Sequence, residues 1–296
     1  MALLGRVEHN GVKVYAAFIG GKAYALSDLL NLPENEVSRN IYSIMMEDRN
    51  FDPSGKKPLD HFRYLVPLDD IKSIRDFYAF EDHVKAGRKR RNLDMIPEWY
   101  EFPVFYYSNN ACLYAHEEDI PYPRYTRELD FELELAFVIG KDGSDVGRDE
   151  ALDYVAGITI ANDWSARDEQ LREMKLNLGP AKGKDFATSL GPAILTRSDL
   201  LSLRDDKGRF SIGVEGYVNG VKLSSSNLDR MYFSIESMIE RASMCSRIRK
   251  GDIFMTGTFD TGCIVELGPE KYGWLKRNDV VEFRADGIGS LRNRVV

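Results

Sequence analysis

Two acidic stretches hold the residues best placed to do chemistry. The first reads Leu129-Asp130-Phe131-Glu132-Leu133-Glu134-Leu135-Ala136-Phe137-Val138-Ile139-Gly140. Its second half is apolar and β-prone, so it reads as a strand. Side chains alternate along a strand, so Glu132 and Glu134 point the same way, ~7 Å apart, while Phe131, Leu133 and Leu135 take the opposite, core-facing side. Two like charges on one face repel unless solvent or a cation lies between them. The second stretch, Ile158-Thr159-Ile160-Ala161-Asn162-Asp163, ends another apolar run with an acid. Three carboxylates converging from two strand ends make an oxygen-rich site for a hard cation, Mg²⁺, Ca²⁺ or Mn²⁺. An amphipathic strand whose glutamates face water has the same pattern, and spacing alone leaves both readings open.

The elements that must position these acids follow from local pattern. Val14 to Ile19 and Lys22 to Leu26 flank Gly20-Gly21, a hairpin signal, and residues 32–60 are polar and mixed. His61 to Val66 is a strand candidate, and a helix is expected from Ile71 to about Lys89. A subdomain boundary near residue 70 gives a small N-terminal β subdomain (1–69) and a larger unit (70–296). Residues 80–95, with the basic run Arg88-Lys89-Arg90-Arg91, read as a mobile lid or a solvated face. Arg148 to Tyr154 and Ser165 to Met174 look helical. Phe210 to Lys222 is a hairpin around Asn219-Gly220, and Asn227 to Met244 a helix with Met231, Ile235 and Ile239 on one stripe. Gly251 to Thr258, Cys263 to Leu267 and Val280 to Arg284 read as strands. Strands outnumber helices beyond residue 100, so the expected class is α+β, mainly β and largely antiparallel.

Composition narrows the function. The chain has 296 residues, 43% hydrophobic and 29% charged, ordinary for a globular protein. A net charge of −7 argues against a nucleic-acid partner, which needs a basic face. No stretch reaches the ~20 apolar residues of a membrane span, and there is no leader-like run at the N-terminus. Cys112, Cys245 and Cys263 lack paired or metal-ligand spacing, which suits a reducing, cytoplasmic setting.

Three segments together resemble the fumarylacetoacetate hydrolase superfamily: Glu132 to Gly140, Asn162-Asp163-Trp164-Ser165-Ala166-Arg167-Asp168, and Gly251 to Thr258. The resemblance covers roughly residues 70–296 and implies a mixed β-roll or sandwich catalytic domain. It implies that Glu132, Glu134 and Asp163 hold a divalent ion, Mg²⁺ or else Ca²⁺ or Mn²⁺, with Asp76 of Asp76-Phe77-Tyr78 as a fourth carboxylate. It makes His83 the catalytic base and Glu266 the group that orients it. Lys184 and Gln170 are implied as further catalytic residues, Thr188 as a neighbour of the metal, and Arg167, Tyr106, Thr258 and Tyr78 as substrate-facing. His9, His61 and His116 have no such context.

The implied reaction is hydrolysis of a carbon–carbon bond in a small 1,3-dioxo or 2-oxo acid, such as an acylpyruvate or fumarylacetoacetate. A metal stabilises the departing enolate, and His83 with Glu266 activates water. A decarboxylase, hydratase or isomerase of 2-oxo acids is the alternative within the superfamily, and a non-catalytic Ca²⁺-binding β module is the alternative outside it. Relatives are commonly dimers, so a homodimer is expected. The sequence departs from the fumarylacetoacetase pattern at Met174, where a tyrosine is usual, and in a longer loop before Lys184. It has Ala86 where the acylpyruvase branch places the glutamate of its own dyad.

Overall fold

The computed structural model describes residues 3–296. An eleven-stranded sheet forms its centre. Along its main path the order is Lys22–Ala25, Val12–Ile19, Leu3–His9, Thr188–Thr196, Val155–Asp163, Leu133–Ile139, Asp252–Met255, Ser73–Phe77 and Phe105–Ser108. Neighbours on this path are antiparallel, except that Asp252–Met255 runs parallel to Ser73–Phe77. A separate four-stranded sheet, Val221–Asn227, Gly213–Val218, Val280–Ala285 and Gly289–Arg294, packs against the large one. The class is α+β and mainly β, as expected.

Apolar residues cover both faces of the large sheet. Leu133, Leu135 and Phe137 join Phe131, Trp164, Phe254 and Phe283 in the core toward the second sheet. Ala136 and Val138, on the other side of the same strand, pack with Val37, Ile41, Ile44 and Met45. Those four come from a helix, Glu34–Met46, inside the segment expected to be polar and mixed. Their spacing, i, i+4, i+7 and i+8, is one face of a helix, but the intervening charges and polar residues lower the mean hydropathy enough to hide it.

Other elements also differ from the sequence reading. Residues from Ile71 form no single helix: Ser73–Phe77 is a strand, and the helix is confined to Glu81–Arg90. Pairing with Asp252–Met255 and a buried ion pair between Arg75 and Asp252 at 2.8 Å override the helical look. Cys263 to Leu267 is also not a strand, since Ile264–Leu267 is one short helical turn. Arg148 to Tyr154 keeps only the 3₁₀ turn Ala151–Tyr154. The long helix expected over Asn227 to Met244 is a 3₁₀ turn followed by Ile235–Ser243, so Met231 lies off the stripe.

Candidate active site

The strand register gathers the acids at one end of the sheet. Asp76 lies opposite Tyr106 on one side and Met255 on the other, Met255 opposite Ala136, and Glu134 opposite Ala161. Asp163 closes its strand opposite Thr188. The face that carries Ala136 and Val138 over the helix Glu34–Met46 therefore ends in Glu134 and Glu132. The glutamates do not face water: Glu132 is 6% exposed and Glu134 is fully buried. Asp76, Glu132 and Glu134 each offer an oxygen within 4.8 Å of the others.

Hydrogen bonds and ion pairs join Asp163 and the remaining groups to this cluster. Lys184 Nζ donates to Asp163 Oδ2 at 2.7 Å and also to Glu132. Arg167 reaches Glu132 Oε1 at 2.8 Å, Asp130 Oδ2 at 2.9 Å and Gln170 Oε1 at 3.0 Å. The Gly257 backbone N–H donates to Glu134 Oε2 at 3.0 Å, and Thr258 Oγ1 lies 3.4 Å from Glu134 Oε1. Gly257 has φ +80, and a Cβ there would sit 2.3 Å from the Phe77 carbonyl oxygen, so only glycine allows this approach. Tyr106 O–H contacts Asp76 Oδ2 at 2.6 Å and Asp163 Oδ2 more closely still. A phenol has one proton, so it can donate to only one of these two carboxylates.

The electrostatics agree. Burial raises Asp76 and Glu134 well above the ordinary carboxylate range, and the neighbouring carboxylates raise them further. Burial raises Asp163 too, with Lys184 pulling against it. Burial also opposes ionisation of Glu132, but Lys184 and Arg167 outweigh it and hold that carboxyl down at about 2. Asp76 Oδ1 and Asp163 Oδ1 are buried and have no hydrogen-bond partner among the described residues. Orphaned buried acceptors are rare, and an excess of them among acids that prefer to be protonated matches the donor set of a divalent hard cation.

Beside the carboxylates stands a second pair. His83, in the helix Glu81–Arg90, places Nδ1 2.8 Å from Glu266 Oε1, and both side chains are largely buried. An ionised carboxylate only accepts, so Nδ1 carries the hydrogen and Nε2 keeps the free lone pair. Tyr78 meets the imidazole edge-on at 5.4 Å between ring centroids, and burial pushes its phenol up to about 12. Arg90 and Glu270 at 3.0 Å, with Arg230 between Asp82 and Asp260, tie the same helix down at both ends. A 230 Å³ cavity opens beside Tyr106 and Lys184, between Tyr107 and Pro180. A larger cleft of 440 Å³ lies by Asp82, Asp229 and Arg230, and none of the clustered acids lines it.

Each site residue expected from the sequence thus falls in one of two adjoining groups, while Met174 is exposed. Thr188 joins through the strand pairing at Asp163. Two further residues carry weight. Asp130 accepts from the backbone N–H of Ile264 at 2.7 Å and of Val265 at 3.1 Å, besides holding Arg167. It therefore fixes both the turn that bears Glu266 and the guanidinium that steadies Glu132. Strand parity with Glu132 and Glu134 was its signal, weakened because Leu129–Asp130 pairs outside the main sheet, with Ser165–Ala166. Cys263 is buried within 4.8 Å of donor atoms of His83 and Glu266. Asp130→Asn is expected to lower kcat by roughly 10–100-fold, the range for partners that orient functional groups. Steady-state kinetics on correctly folded protein checks this, and an unchanged kcat would remove Asp130 from the positioning role.

Comparison with known proteins places these residues in context. The profile of the fumarylacetoacetate (FAA) hydrolase C-terminal family matches residues 72–296. The chain is 34% identical over 249 residues to a mitochondrial oxaloacetate tautomerase of Xenopus laevis, covering 82% of this chain and 74% of that one. Its fold superposes on a fumarylacetoacetate hydrolase of Exiguobacterium antarcticum with a TM-score of 0.78 at 24% identity, over 100% and 99% of the two chains. It also superposes on a Pseudomonas aeruginosa fumarylpyruvate hydrolase in complex with Mn²⁺ and pyruvate, with a TM-score of 0.62 at 23% identity, over 80% and 92%.

Proposed function

The chain belongs to the fumarylacetoacetate hydrolase family, and from that membership and the geometry of its site we propose that it is a metal-dependent enzyme that forms or discharges the enolate of a small 2-oxo acid. The observation that carries this reading is the buried His83–Glu266 pair at 2.8 Å beside four buried carboxylates. Asp76, Glu132, Glu134 and Asp163 would hold the cation, Mg²⁺ or Mn²⁺. When bound, it supplies Lewis-acid stabilisation of negative charge on an enolate oxygen.

The protein's own groups supply the rest. His83 Nε2 takes a proton, and Glu266 keeps the imidazole in the right tautomer and supports its positive charge. Burial favours the neutral amine form of Lys184, but Asp163 and Glu132 overcome that and keep it protonated, able to donate to a developing oxyanion. Arg167 and Gln170, bonded to each other, border the site with Tyr106, Tyr78 and Thr258 and would orient the acid's carboxylate or carbonyl.

The first reading is keto–enol tautomerisation of an oxaloacetate-like acid, supported by 34% identity to a named oxaloacetate tautomerase. The base removes a proton from the carbon beside the carbonyl, and a proton is delivered to the carbonyl oxygen. The second reading is C–C hydrolysis of an acylpyruvate or fumarylacetoacetate analogue, in which His83 takes the proton from water. The Asp76-Phe77-Tyr78 and His83 pattern favours it. One panel separates them: oxaloacetate enol conversion and acylpyruvate cleavage, each with Mg²⁺, Mn²⁺ or EDTA. Metal-dependent tautomerisation faster than cleavage is the expected result. Faster cleavage would install the hydrolase reading, and inactivity on all substrates with either metal would end both.

The helix Glu81–Arg90 would serve as a lid whose closure delivers His83. Hydrogen exchange across residues 81–90 is expected to slow on addition of a non-reacting 2-oxo acid. Equal protection with and without it would count against a lid.

A further inference from the structure

We propose that Cys263, His83 and Glu266 form a second, softer metal site that binds Zn²⁺ and thereby blocks the base. One donor atom from each of the three lies within 4.8 Å of the others. Ligands around a tetrahedral zinc, with bonds of 2.0–2.3 Å, stand roughly 3.5 Å apart, so side-chain rotation of about an ångström suffices. A second observation points to a ligand: Glu266 Oε2 is buried and has no hydrogen-bond partner among the described residues, although Oε1 is held by His83. Cys263 is completely buried directly ahead of the turn that carries Glu266, and no hydrogen bond or disulfide engages its sulfur among the described residues.

The donor chemistry separates this site from the carboxylate cluster. Thiolate and imidazole favour Zn²⁺ over Mg²⁺, whereas an all-carboxylate set favours hard cations. Binding forms Zn–S, Zn–N and Zn–O bonds, and the thiol proton leaves to solvent with no electron transferred. An imidazole held by zinc cannot accept a proton from substrate or water. The site needs no turnover to fill, so it stands or falls separately from the proposed reaction.

The test uses the full chain with Mg²⁺ saturating, to keep the carboxylates occupied, and Co²⁺ as a spectroscopic substitute for Zn²⁺. The double variant Cys112→Ser/Cys245→Ser, which keeps only Cys263, is expected to bind Co²⁺ with a near-ultraviolet thiolate-to-cobalt charge-transfer band. Zn²⁺ should bleach that band by displacement. Cys263→Ser and, as a second replacement, Cys263→Ala should lack the band and weaken Zn²⁺ binding at least ~100-fold. Loss of a direct ligand should be no milder than the 10–100-fold known for outer partners. Absence of the band in the double variant would overturn the proposal. So would Zn²⁺ affinity unchanged in whichever of the two Cys263 variants gives a native circular dichroism spectrum.

Discussion

Replacing His83 with alanine is expected to lower kcat by ~10²–10⁴-fold, the usual contribution of a positioned general base. The imidazole is the sole group in the site whose free nitrogen is fixed by a buried carboxylate partner among the described residues, so no neighbour takes over its proton. Glu266→Gln is expected to follow in the same direction, because an amide can present its N–H to Nδ1, select the wrong tautomer, and leave the imidazolium unsupported. Cation binding should survive both changes, since neither residue belongs to the carboxylate cluster. Decarboxylation of oxaloacetate needs an electron sink but no general base, so any such side activity should fall far less. Kinetics of wild type, His83→Ala and Glu266→Gln at saturating Mg²⁺ measures the three rate effects. Tautomerisation and cleavage that persist while decarboxylation collapses would reverse the assignment.

Adding a divalent cation to metal-free protein is expected to raise Tm by roughly 5–10 °C at a hundredfold excess over Kd. That excess contributes about 2.7 kcal/mol, and a chain of this size shifts by about 2–4 °C per kcal/mol. The increment should grow with pH. Asp76, Glu134 and Asp163 have folded-state pKa values raised above those of the unfolded chain. Their contribution to stability is therefore full below the ordinary carboxylate range and is lost as pH rises through the raised values. Glu132, held down, behaves oppositely: its contribution is present above the ordinary range and fades only toward a pH of about 2. Raising the pH thus favours ionisation of a repelling cluster, and a bound cation would offset that repulsion. Calorimetry at pH 5 and pH 8 with EDTA, Mg²⁺ or Mn²⁺ reads the difference. A Tm indifferent to metal at pH 8, or a shift that shrinks with pH, would refute the cation site.

Alternation along Asp130 to Ile139 determined that Glu132 and Glu134 share a face, because a strand's side-chain period of two holds wherever the strand lies. The hairpin at Asn219-Gly220 was legible for a comparable local reason: the turn demands positive φ, and Asn219 and Gly220 adopt 51° and 79°. The motifs further pointed to the residues proposed for the site, since they resemble a family's pattern in a fixed order. Nothing local said that the glutamates are buried. That followed from the helix Glu34–Met46 and the second sheet covering both faces of the strand. Nor could local pattern place Asp76, whose segment reads as a helix until the parallel partner Asp252–Met255 offers a ladder and Asp252 an ion pair for Arg75. The His83–Glu266 contact spans 183 residues, and the turn bearing Glu266 is set by Asp130, a residue on another strand. Propensity acts over a few residues, whereas charge pairing and burial act across whatever the fold brings together; the sequence therefore determined the chemistry available, and tertiary structure alone decided which groups would meet.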